Sequence, residues 1–188
     1  ATKVQGGYVV GWGSNQTSEQ GLAWNIADLA NPMVTQSFHV GGANDVTRNL
    51  DVNASGGFTG ISSAGLVGTL GDIPSNSVLA LNAPPGSNVF GTSISDQNLV
   101  SGEIVPFLSD AIVPVVWTTP STYTELSTAA TRQGFADSIS GAGRLVGGSV
   151  GIFDSISETI KFQAAVWSAD GWTNLSLLTN PDGTPFFG

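Results

Sequence analysis

The chain has 188 residues, with 14 Asp and Glu against 5 Lys and Arg, one His, no Cys, 25 Gly and 9 Pro. A net charge of -9 with five scattered cations excludes nucleic acid as a partner, because phosphate binding needs clustered Lys and Arg. A hydrophobic content of 40% excludes disorder, and the length suits one domain that buries its own core without disulfides.

The first repeated pattern in chain order is Gly6-Gly7-Tyr8-Val9-Val10-Gly11, followed by the apolar run Leu22-Ala23-Trp24. Residues 35–53 then fit no repeat and contain His39, Asn44, Asp45, Asp51 and Asn53. A second copy runs from Gly57-Phe58 through Ile61-Ser62 to Leu66-Val67-Gly68, with the run Val78-Leu79-Ala80-Leu81 behind it. The third opens at Phe90, passes Ile94-Ser95 and Leu99-Val100 to Gly102, and is followed by Val115-Val116-Trp117. The longest apolar stretch, Ile112 to Trp117, is broken by Pro114 and is far too short for a membrane span. Residues 121–133 have room for one or two helical turns. The fourth copy opens at Phe135, passes Ile139-Ser140 and Leu145-Val146-Gly147, and leads to Ala164-Ala165-Val166-Trp167. Asp170-Gly171 then signals a tight hairpin. Pro84-Pro85-Gly86 and Thr119-Pro120-Ser121 take the same turn slot in the second and third copies.

Short apolar pairs separated by Gly or Asn read as strands joined by tight turns. Each copy holds three or four such strands, and one small sheet cannot bury both its faces alone. The sequence therefore predicts an all-β, β-propeller-like array of about four antiparallel sheets in one domain, with units at 1–50, 51–88, 89–133 and 134–188. Phe186-Phe187 resembles the Phe that opens each copy, and the first unit reads as missing its opening strand. The C-terminal strand is thus expected to close the array, or to pair with a second copy of the chain and make a homo-oligomer.

The unit Ile-Ser-x-x-Gly-x-Leu-Val-Gly at 139–147, followed by an apolar run to Trp167 and the Asp170-Gly171 hairpin, resembles the HAF-type repeat of secreted bacterial proteins. The resemblance is best over residues 135–178 and covers about two thirds of the chain. The family's His-Ala-Phe triplet is absent, and Leu81 stands where that pattern has Trp. The resemblance implies a secreted, propeller-like β fold and carries no catalytic residues with it. Absence of Cys, scarcity of Lys and an acidic balance also suit a secreted or cell-surface protein.

Chemistry is sparsely signalled. His39 is the single His, so any His-based triad would pass through it, and zinc has too few ligands. No catalytic residue is nominated and no cofactor is implied. Calcium is the one metal considered, on the hard oxygens of Asp45 and Asp51 beside Asn44 and Asn53. Trp24, Trp117 and Trp167 share a repeat position and read as core. Trp12, Tyr123 and Trp172 fall outside it and, with His39, are the candidate ligand-binding residues, since aromatic rings stack on sugars or anchor protein partners. The expectation is a non-catalytic binding, surface or assembly module contacting carbohydrate or a protein. The alternative is an extracellular polysaccharide hydrolase or lyase using Asp and Glu.

Overall fold

The computed structural model describes residues 1–14, 19–26, 33–38, 47–62 and 67–175, with residues 33–38 and 47 described by their backbone. Sixteen strands appear in this part of the chain. They form four successive antiparallel meanders of four strands, each ordered as in the sequence. Sheet 1 comprises β1 (Lys3–Gln5), β2 (Tyr8–Ser14), β3 (Glu19–Asn25) and β4 (Met33–Phe38). Sheet 2 comprises β5 (Thr47–Val52), β6 (Gly57–Ser62), β7 (Val67–Asp72) and β8 (Ser77–Ala80). Sheet 3 comprises β9 (Ser87–Ile94), β10 (Val100–Pro106), β11 (Val113–Thr119) and β12 (Thr122–Glu125). Sheet 4 comprises β13 (Gly134–Ile139), β14 (Val146–Asp154), β15 (Thr159–Ser168) and β16 (Gly171–Asn174). Residues 121–133 hold β12 and a turn in place of the expected helix.

The sheets stack face to face, and the core lies in the three seams between them. Val10 and Ala23 of sheet 1 meet Val52, Phe58 and Ile73 of sheet 2. Leu70 and Leu81 meet Val89, Val100, Val115 and Trp117 of sheet 3. Leu99, Val116 and Leu126 meet Ala136, Val146, Ala165 and Trp167 of sheet 4. Successive side chains on a strand point to opposite faces, so each inner sheet serves two seams.

Register exposes an offset in the sequence repeat. Val100 pairs with Trp117 and Val146 with Trp167, each two residues before a Gly, Gly102 or Gly148, on the second strand. The matching pairs are Val9 with Trp24 in sheet 1 and Phe58 with Gly71 in sheet 2. The Trp position of sheet 2 is therefore Gly71, where the sequence pattern pointed to Leu81. Phe58 fills the space instead, and a Cβ on Gly71 would run into its ring. Phe90 and Phe135 lie on first strands, whereas Tyr8 and Phe58 lie on second strands. The first two copies are thus out by one strand from the last two. For the same reason Pro84-Pro85-Gly86 links sheets 2 and 3, while Thr119-Pro120-Ser121 makes a true hairpin.

Sheet 1 also has its own first strand. β1 pairs with β2 through a Gly6-Gly7 turn with φ of 59° and 83°. The first unit therefore has no empty strand slot, which removes the reason for a C-terminal strand to enter it. Residues 184–188 lie outside the described residues.

Candidate functional site

The first strand of sheets 2, 3 and 4 carries a bulge, with Leu50, Thr92 and Asp137 as the extra residues. Opposite each stands a glycine: Gly60, Gly102 or Gly148. A Cβ at any of these would collide with the carbonyl oxygen of Arg48, Phe90 or Phe135 respectively. A bulge sharpens the local twist and re-aims side chains. Here it turns the middle of β5, β9 and β13 towards the next sheet. Thr92 Oγ1 donates to the carbonyls of Ser101, at 3.0 Å, and Ala136 on the following sheet. Thr2 does the same two seams earlier, between sheets 1 and 2, donating to Val10 and Asn49.

Just past the bulges, β5, β9 and β13 and the strands behind two of them enclose a pocket of about 280 Å³. Leu50, Ile61, Phe90, Val105 and Phe135 make its wall apolar, and Glu103 and Thr92 supply the polar groups. Glu103 is only 5% exposed. Its Oε1 accepts from the Ala136 N–H at 3.0 Å. Among the described residues its Oε2 has no hydrogen-bond partner, and it is not one of the fully enclosed unpaired atoms. Burial pushes the Glu103 carboxyl up to about 7, opposed by the Ala136 N–H and reinforced by the charge of Asp137. Burial raises Asp137 as well. Sequence spacing nominated no acid pair. Packing of β13 onto β10 brings Asp137 near enough for its charge to act on Glu103, and nothing in the spacing of the sequence reveals it.

A second concavity, of about 620 Å³, opens between sheets 3 and 4. Its floor is Val116, Leu126 and Trp167, and its rim carries Thr118, Thr124, Ser168, Arg144 and Asp170. Neither Arg144 nor Asp170 belongs to any of the three ion pairs formed by the described residues.

The sequence-nominated residues fall in several places. Trp12 is 42% exposed and lies 4.9 Å from the Arg48 guanidinium carbon, measured to the ring centroid. Arg48 is in turn held by Glu19 at 2.6 Å. Trp12 follows Gly11 as Glu103 follows Gly102, so it presents to the same edge of its sheet. Tyr123 is half-buried against Trp117, with centroids 6.2 Å apart, and Trp172 packs against the sheet 4 core beside Trp167. Trp172 thus lies beside the floor of the second groove, whereas Trp117 and Tyr123 lie on the opposite face of sheet 3, in its seam with sheet 2. Asp51 is fully engaged. Its Oδ1 accepts from Val52 N at 2.9 Å and lies 3.6 Å from Lys3 Nζ, while Oδ2 accepts from Ser93 Oγ at 2.6 Å and Ile94 N at 3.1 Å. Lys3, Asp51 and Ser93 occupy matching positions on successive first strands, so Asp51 ties sheets together and has no oxygen to spare for a cation. His39 and Asp45 lie outside the described residues, and no cluster of three metal-ligating side chains occurs among those described.

No protein-family model matches the chain, and no curated protein matches it. The resemblance to HAF-type repeats therefore rests on the repeat pattern of the sequence alone, best over residues 135–178.

Proposed function

We propose that the chain is a secreted, non-catalytic binding module built as a four-bladed propeller-like array, and that it contacts carbohydrate in the groove between sheets 3 and 4. The lining of that groove carries the reading. Thr118, Thr124 and Ser168 offer hydroxyls, and Arg144 and Asp170 offer an unpaired donor fork and an acceptor. The apolar floor of Val116 and Leu126 suits the C–H face of a sugar ring. Few precisely placed polar groups over an apolar base is the usual make-up of a small-ligand site.

Three features support the propeller-like arrangement. The sheets stack in chain order. Each buried Trp reaches back to the exit segment of the preceding sheet, Trp117 Nε1 donating to Asn82 O at 3.0 Å and Trp167 Nε1 to Ser127 O at 2.6 Å. The first-hairpin turns also converge on Asp96, which accepts from Gln5 of sheet 1 at 3.2 Å and Ala54 N of sheet 2 at 3.3 Å. Its own N–H donates to Gly141 O of sheet 4 at 2.9 Å, so one residue of sheet 3 touches all the others.

A glycan array with the wild-type chain, followed by Arg144→Ala and Asp170→Ala, tests the reading. Each charged hydrogen bond lost should weaken a hit by about 10- to 100-fold while the melting temperature stays unchanged. A glycan bound equally by both variants would place the contact elsewhere, with exposed Trp12 the next position to change. The hydrolase alternative draws on Glu103 and Asp137, two interacting carboxyls. Glu103 sits in an apolar pocket while Asp137 is exposed and does not line it, so the two do not face one substrate-sized cleft, which favours the binding reading.

A further inference from the structure

We propose that the pocket lined by Leu50, Ile61, Phe90 and Phe135 is a binding site for a small hydrophobic amine, its ammonium seated on Oε2 of Glu103. The proposal is independent of the carbohydrate groove, which lies on other residues.

A carboxyl group of a residue only 5% exposed, with one oxygen unpartnered among the described residues, is costly to keep unless something meets it. The Ala136 N–H satisfies Oε1 alone. No ion pair of the described residues involves Glu103. The strands around it supply no cation. β9 and β11 hold no titratable residue, β13 adds a second carboxylate at Asp137, and β5 carries Arg48 and Asp51, both engaged elsewhere. Buried Glu103 has no ion-pair partner among the described residues, and the charge of exposed Asp137 acts on it from nearby, so in a protein of net charge -9 the local potential is negative, drawing cations and repelling anions.

The rest of the wall selects for an apolar body. Leu50 and Ile61 come from sheet 2, and Phe90 and Phe135 present aromatic rings from sheets 3 and 4. Aromatic faces attract ammonium groups as well as hydrocarbon. A volume near 280 Å³ admits one aromatic ring with a short alkyl arm. A hydrated metal ion would find one free oxygen and an apolar lining, and a sugar would find its hydroxyls unmet. Burial and the neighbouring Asp137 hold Glu103 partly protonated near neutrality, so binding an ammonium must release a proton.

Titration calorimetry with 2-phenylethylamine, 2-phenylethanol and phenylacetate provides the test. The amine is expected to bind saturably at pH 8 and about tenfold more weakly at pH 6, because below pH 7 each unit leaves tenfold less ionised carboxyl. The alcohol should bind at least tenfold more weakly than the amine, and phenylacetate should not bind. Glu103→Gln should abolish the preference of amine over alcohol. Should that variant fail to fold, Ile61→Trp fills the pocket without touching the carboxyl, and it must also lose the amine. Phenylacetate binding as well as the amine, amine binding that survives both variants, or no amine binding to the wild type at millimolar concentration would each overturn the proposal.

Discussion

Glu103 shows how a single buried residue sets a pH response. Its carboxyl is raised from 4.5 to about 7. The folded chain therefore holds a proton that the unfolded chain has released, and the stability gained is complete below pH 4.5 and lost as pH rises through 7. The contribution amounts to about 3 kcal/mol, or roughly 6–12 °C of melting temperature for a domain this size. Raised Asp137 acts with the same sign. Wild-type melting temperature should therefore fall between pH 5 and 7.5, and Glu103→Gln should flatten most of that slope. A slope unchanged in the variant would assign the effect to other groups. Asp154 behaves oppositely. Its hydrogen bonds from Lys161, Ile156 and Ser157 hold it well below the usual carboxylate range, so what it contributes is lost in acid. The two windows are separate and a pH series resolves them.

At the scale of the element, sheets 2, 3 and 4 repeat one plan: a bulged first strand, a glycine opposite the bulge, and an apolar residue two positions before that glycine paired with the third strand, where sheets 3 and 4 place a Trp. Sheet 2 solves the same packing problem with its sizes exchanged, a large Phe58 facing Gly71. Gly71→Ala should cost about 1–3 kcal/mol in chemical denaturation, since the added methyl runs into the Phe58 ring in a filled core. The same change made on Phe58→Leu should cost at least about 1 kcal/mol less, because residues in contact are coupled. Strictly additive costs would mean that the two positions do not share one space. This exchange also hides a one-strand offset in the sequence repeat. Phe58 has the same kind of neighbours as Phe90 and Phe135, yet it sits on β6 while the others sit on β9 and β13. β1 and β5 carry no repeat signal because their residues, Lys-Val-Gln and Thr-Arg-Asn-Leu-Asp-Val, share no aromatic. The signal that was available lay in the glycines: Gly11, Gly60, Gly102 and Gly148 mark the same place in all four sheets.

For the whole molecule, the open question is what meets the outer face of sheet 1. Trp117 and Trp167 face the preceding sheet, whereas Trp24, their counterpart, lies opposite Ala23 and so faces away from sheet 2. In a closed ring that face meets sheet 4. Trp24→Ala should then cost about 3–5 kcal/mol, as a covered Trp does. A loss below about 1 kcal/mol would leave Trp24 on an open face and the array unclosed. The candidate sites depend on this scale too, since each is assembled from two or three sheets and none from one.

The sequence alone determined the all-β class, the number of units and the core role of Trp117 and Trp167, because alternation, turn residues and repeat spacing are local properties of the chain. It also pointed to Trp12 as an exposed aromatic, for that residue breaks the repeat. Tertiary structure alone decided strand register, the bulges, the influence of Asp137 on Glu103 and the placing of Arg144 and Asp170 on one groove. These pairs lie dozens of residues apart, and a one-residue slip in pairing sends a side chain to the opposite face. The free oxygen of Glu103 is the clearest case. Nothing next to it in the chain marks it, and only the packing of sheet 4 onto sheet 3 removes it from water.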